Sequence, residues 1–154
     1  MKVIFVIGPA LSGKTTYIIN HYPHATVVNF SYFYKFAYAA QSNEEIEEIV
    51  TNAQLYCRKE LQDRLVNAKE DDVFVLEHSM LTKQERMFYI NVIREASNVP
   101  IDVFVMDPDI TALNIMLKAE KQLIALYEYE KLSMDPVSLD EGFASITPIT
   151  NPMA

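Results

Sequence analysis

Within residues 2–7, KVIFVI, the five positions VIFVI are apolar without polar alternation. That pattern predicts a strand buried on both faces, as at the centre of a parallel sheet. A loop follows, and then a helix is predicted from about Gly13 to His21. ATVVNF, residues 25–30, predicts a second short strand, and the aromatic stretch SYFYKFAYAA, 31–40, reads as helical. Ser42-Asn43-Glu44-Glu45 is a capping-box pattern that opens a long helix. Its apolar positions, Ile46, Ile49, Val50, Ala53, Cys57, Leu61 and Leu65, recur at helical spacing to about Ala68. Asp71-Asp72 breaks the period, and VFVL, 73–76, predicts a third buried strand ending at Glu77. Thr82 and Glu85 form a second capping box, whose helix runs to about Ala96. Ile101–Met106 predicts a fourth strand, and Asp109 opens a helical stretch to about Leu132. SITPI, 145–149, is a candidate fifth strand.

Strands alternating with helices imply βαβ units, and right-handed crossovers then place helices on both faces of the sheet. The expected fold is α/β: a three-layer sandwich with a mainly parallel sheet of about five strands. A chain of 154 residues suits one domain, 1–154. Neither an internal repeat nor an interdomain linker is visible.

Charge and composition narrow the possible roles. A net charge of -8 disfavours extended duplex binding, because an acidic surface repels a long polyanion. The lone cysteine, Cys57, cannot form an intrachain disulfide, which fits a reducing, cytoplasmic setting. No apolar run reaches the roughly 18 residues of a membrane helix, so no membrane partner is expected. MKVIFVIGPAL has a superficial likeness to a signal peptide, but the glycines and GKTT that follow read better as a strand entering a loop.

Gly8-Pro9-Ala10-Leu11-Ser12-Gly13-Lys14-Thr15 matches G-x-x-x-x-G-K-[ST]. Such a loop wraps a phosphate with backbone N–H groups, so its glycines must permit close approach and unusual dihedrals. The following helix points its positive end at the anion. Lys14 would reach the β- and γ-phosphates, Thr15 would offer its hydroxyl to Mg²⁺, and Thr16 completes the binding run. By chance the pattern arises in roughly half a percent of chains this long. Two of the chain's three glycines sit in it.

Glu77 stands at the carboxyl edge of the sheet, where open α/β sheets bind ligands. It reads as a metal ligand, as a base taking a substrate proton, or as a solvated strand-end acid. His78 and Ser79 read as an exposed loop, and Asp107 as a cap or turn residue for the following helix. Tyr32, Phe33, Tyr34, Phe36 and Tyr38 read either as core or as a platform for a base, with Lys35 the one cation among them. Lys118 and Lys121, three apart on the late helix, share a face and could close over phosphates as a lid, or simply be solvated. Arg86 and Arg94 are weaker candidates for substrate contact. Met80, Met87, Met106 and Met116 read as core filler. The late helix carries more apolar residues than one stripe requires (Leu113, Ile115, Met116, Leu117, Leu123, Ile124, Leu126), which points to deep burial or to a homodimer surface.

The N-terminal phosphate loop, the short second strand, VFVLEHSMLTKQER and the closing Pro136–Phe143 pattern P-x-x-x-x-E-G-F together resemble the polynucleotide-kinase-like P-loop kinases over nearly the whole chain. The resemblance implies a P-loop α/β sandwich that moves the γ-phosphate of ATP, with Mg²⁺, onto a hydroxyl of a nucleic-acid end or small molecule. It also implies an acidic residue ending the third strand, here Glu77, and a helix carrying Glu85-Arg86. Three departures stand out. Ala10 and Leu11 replace the family's Pro-Gly pair. Asn29-Phe30-Ser31-Tyr32 supplies no carboxylate where the family has an aspartate. Residues 108–132 contain lysines but no lid arginine. The expectation is a kinase whose catalytic residues are Lys14, Glu77, Lys118 and Lys121, with Thr15 and Glu77 on the metal. A nucleotide-binding module without transfer, or a slow NTPase, remains open beside it. No N-K-x-D marker separates ATP from GTP.

Overall fold

The computed structural model describes residues 1–29 and 40–154, so the aromatic segment with Tyr32, Phe33, Tyr34, Lys35, Phe36 and Tyr38 lies outside the described residues. The elements are β1 (Lys2–Ile7), α1 (Lys14–His21), β2 (Thr26–Asn29), α2 (Asn43–Val66), β3 (Val73–His78), α3 (Lys83–Ala96), β4 (Ile101–Met106), α4 (Ile110–Met116), α5 (Lys121–Leu132), a 3₁₀ turn (Leu139–Glu141) and β5 (Ser145–Ile149). The five strands form one parallel sheet in the order β2-β3-β1-β4-β5. The expected α/β architecture is therefore the observed one, and SITPI is its fifth strand.

β1 is central, and Val3 to Ile7 are 0% exposed, which is why the run carries no polar alternation. Val3, Phe5 and Ile7 face Cys57, Leu61 and Leu65 of α2 and Tyr89 and Ile93 of α3. Ile4 and Val6 face Tyr17 and Ile18 of α1 on the other side. Each such side chain contributes about 1.5–3 kcal/mol on burial, so β1 is anchored from both layers. The chain leaves β1 for β2 on one side, and later crosses from β3 over β1 to β4. The crevice outside the carboxyl end of β1 is where ligands bind in such sheets.

Both predicted helix caps form. Ser42 accepts from the Glu45 N–H, while the Glu45 carboxylate accepts from Gln41 N at 2.9 Å. Thr82 accepts from the Glu85 N–H at 3.2 Å. The single late helix expected from 109 to 132 is instead two. α4 ends where Lys118 and Ala119 both take left-handed backbone at φ 53°, and α5 starts at Lys121. The break lets Leu113 and Leu117 fold against Tyr127 in a small cluster of their own. Within the apolar excess, Ile115 and Leu126 stay exposed. Among the described residues, no helix is long and apolar enough to cross a membrane.

Candidate functional site

The loop between β1 and α1 closes over the carboxyl edge of the sheet. Gly8 and Gly13 take φ 146° and 91°, which only glycine adopts without strain. A Cβ on Gly13 would lie 2.7 Å from Pro152 Cβ, so the C-terminal segment packs directly on the loop. A Cβ on Gly8 would come within 3.0 Å of Met106 Cβ. Leu11 also has positive φ, 67°. It stands where the resembled family has glycine, and the backbone keeps the left-handed turn without one.

A cleft of about 530 Å³ opens above this loop. Its polar end is formed by Ser12, Gly13, Lys14, Thr15, Thr16 and Glu77, and its apolar end by Leu11, Met116, Leu117 and Met153. Gly8 and Pro9, buried, and Ala10, half-buried, form the start of the loop behind it. The Lys14 ammonium donates to the carbonyls of Gly8 and Pro9 at 2.9 and 2.8 Å. Burial pushes Lys14 down to about 8, against the Glu77 and Glu130 carboxylates, which favour its charged form.

Thr15, in the first turn of α1, donates its hydroxyl to Glu77 Oε1. Asn29, at the end of β2, donates to Glu77 Oε2 at 3.1 Å. Both carboxylate oxygens are thus oriented by neighbours from separate elements. Glu77 is buried within β3, which extends to His78 rather than ending before it. The buried Ser12 hydroxyl, inside the loop, has no hydrogen-bond partner among the described residues.

Other expectations are corrected. His78 is not in an exposed loop: its ring is buried, tilted against Tyr89, and its Nδ1 accepts from the Met80 N–H at 2.8 Å. Burial first, and then the Lys14 charge, lower its pKa to about 4. Arg86 is 0% exposed and pairs with Glu141 at 2.6 Å. Its guanidinium also donates to the carbonyls of Met80, Leu81 and Pro136, which makes it a structural pin rather than a substrate contact. Asp109, not Asp107, caps α4. Asp107 instead accepts from Lys131 at 2.7 Å. Lys118 and Lys121 do not share a helical face, since the α4–α5 break falls between them, and Met116 and Leu117 form the cleft wall there instead. Arg94 binds backbone carbonyls at the end of α3.

Sequence reasoning missed Glu130, Met153 and Pro152 as neighbours of the loop. Nothing local marks them, since each reaches the site only through the tertiary fold. Asn29 was noted only as a missing carboxylate, although its amide orients Glu77.

No protein-family model matches this chain, and no curated protein matches it in sequence. The likeness lies in structure. A sugar kinase from Janibacter sp. HTCC2649 is similar with a TM-score of 0.59 and 14% identity over 97% of this chain and 85% of that one. A kinase candidate from Chloroflexus aurantiacus j-10-fl gives 0.63 and 12%, over 97% and 84%. A gluconokinase from Sinorhizobium meliloti 1021 gives 0.52 and 12%, over 97% and 82%. Identities this low carry the fold alone. The parallel α/β fold is one that these three kinases share, and none of them is named for polynucleotides, so the narrower resemblance to polynucleotide kinases is not what the neighbours share.

Proposed function

We propose that this chain is a phosphotransferase that moves the terminal phosphoryl group of ATP or GTP onto a hydroxyl of a small molecule. The convergence of Lys14, Thr15 and Glu77 on one cleft carries this reading. The loop also fits a phosphate. Its glycines take backbone conformations that glycine alone adopts without strain, and the orphaned Ser12 hydroxyl is a buried polar group still lacking a partner among the described residues.

In this reading the loop amides hold the polyphosphate, and Lys14 swings from the Gly8 and Pro9 carbonyls onto it. The donor set fits Mg²⁺, which is commonly held by one or two carboxylates together with substrate phosphates and water. Thr15 and Glu77 are the residues that would hold it. When bound, the ion neutralises phosphate charge. Glu77, oriented by Asn29, is the carboxylate placed to accept the acceptor's hydroxyl proton. As the acceptor oxygen bonds to phosphorus, the bond to the bridging oxygen breaks and the nucleoside diphosphate leaves. Lys118 and Lys121 are given no role.

Two observations favour a small acceptor over a nucleic-acid end. The net charge is -8, and two structural neighbours are named as a sugar kinase and a gluconokinase. The test is isothermal titration with a non-hydrolysable ATP analogue and Mg²⁺, beside Lys14→Ala. Labelled ATP is then offered sugars, sugar acids, nucleosides and 5′-hydroxyl oligonucleotides. Micromolar binding lost in Lys14→Ala, with transfer to a sugar or sugar acid, is expected. Binding with no transfer to any acceptor would make the chain a nucleotide-binding module, and no binding at all would sink the reading.

A further inference from the structure

Glu130 lies in the last turn of α5, where a carboxylate faces the negative end of the helix dipole. Its Oε2 accepts from the backbone N–H of Ala10 in the phosphate loop, at 2.5 Å and 120 residues away in sequence. Its charge is also felt at Lys14, whose charged form it favours. One amide of the loop, and part of its positive field, are therefore already engaged by an anion of the chain itself. The next residue, Lys131, donates to Asp107 just beyond β4. Consecutive residues of α5 thus tie the helix to the β1 loop and to the end of β4. The apolar contacts of α5 are with α4, in a cluster separate from those on the two sheet faces.

We propose that Glu130 is an internal competitor for phosphate: its carboxylate latches α5 onto the loop until a nucleotide's phosphate takes the Ala10 amide and frees the helix. The proposal rests on the loop being a nucleotide site. Release of α5 would also loosen the α4–α5 pair, which carries Met116 and Leu117 on the cleft wall. Nucleotide occupancy and the shape of the cleft are then linked through one side chain.

Glu130→Gln and Glu130→Ala test this in the full chain, by two measurements. Hydrogen exchange of α5 without nucleotide reads the latch directly, and a charge-assisted bond of this kind predicts roughly tenfold faster exchange on its loss. Titration with a Mg²⁺–ATP analogue and with inorganic tripolyphosphate reads the competition, and both ligands are expected to bind roughly tenfold tighter to the variants. Unchanged α5 exchange, or unchanged affinity in both variants, overturns the latch. If wild type and variants all fail to bind nucleotide, the nucleotide reading falls and the competition falls with it. Because exchange is measured without ligand, it separates those two failures.

Discussion

The Thr15 hydroxyl and the Glu77 carboxylate, 62 residues apart in sequence, are hydrogen-bonded at the mouth of the cleft. The bond joins the first turn of α1 to the end of β3, and it brings together the two oxygen donors that the proposed metal site requires. Asn29 fixes the other carboxylate oxygen at 3.1 Å, so Glu77 has little freedom to turn away. Glu77→Gln preserves this shape and removes the charge. Turnover is expected to fall on the order of 10²-fold or more, while metal-free nucleotide binding stays unchanged. Kinetics and titration with and without Mg²⁺ check this. Wild-type turnover in the variant would remove Glu77 from the chemistry.

If the proposed function holds, Lys14 should make nucleotide affinity depend on pH. Burial lowers its pKa from 10.5 to about 8 in the folded chain. Between those two values the unfolded chain keeps a proton that the folded chain sheds, so stability rises with pH across that window. Binding runs the other way. Polyphosphate is attracted to the ammonium, and by pH 9 roughly a tenth of it is left. Affinity should be level below pH 8 and about tenfold weaker at pH 9. Lys14→Arg, always charged, should lose that slope. Titrations at pH 7, 8 and 9 decide it, and a level wild-type profile contradicts the assignment.

Arg86 and Glu141 link the first turn of α3 to the 3₁₀ turn before β5, fully out of solvent. Removing Arg86 leaves the Glu141 charge buried without its cation and takes the donor from the Met80 and Pro136 carbonyls, while the Leu81 carbonyl keeps the Asp135 N–H at 2.8 Å. Arg86→Ala should cost about 3–5 kcal/mol of stability. The double replacement Arg86→Met with Glu141→Leu should recover only part, because the Met80 and Pro136 carbonyls still lose the donor that Arg86 gave them. Denaturant unfolding measures both. Nucleotide affinity of the folded fraction should not change, which separates this pin from a substrate contact.

Strands were the most legible feature of the sequence. β1 and β4 begin and end where expected: Val3 to Ile7 are covered on both faces, and the one polar position inside β4, Asp102, is half-buried and accepts from the Ser145 hydroxyl at 2.6 Å. The turn from β1 into α1 was legible from its glycines, since Gly8 and Gly13 both take positive φ there. The late helix was misread because apolar periodicity continues through Lys118, whereas the break is set by Leu113 and Leu117 folding onto Tyr127. Glu130 was invisible as well. A glutamate on a helix ordinarily faces water, and only the return of α5 to the loop gives it the Ala10 amide. His78 was placed at the surface because β3 was expected to end sooner than it does.

Leu11 holds strain that the motif conceals, since the pattern allows any residue at that position. Its φ of 67° is left-handed, a conformation that costs a residue with a Cβ roughly 1–2 kcal/mol. The side chain is 38% exposed, so little packing offsets that cost. Leu11→Ala keeps the strain and should leave stability within about 0.5 kcal/mol of wild type. Leu11→Gly removes it, and the added entropy of the unfolded chain takes back only about 0.5–1 kcal/mol. The glycine variant should therefore be more stable than the alanine variant by up to about 1.5 kcal/mol, as read by denaturant unfolding. An alanine variant more stable than the glycine variant would show that Leu11 does not take the left-handed turn in solution. The family-like glycine would then have nothing to relieve.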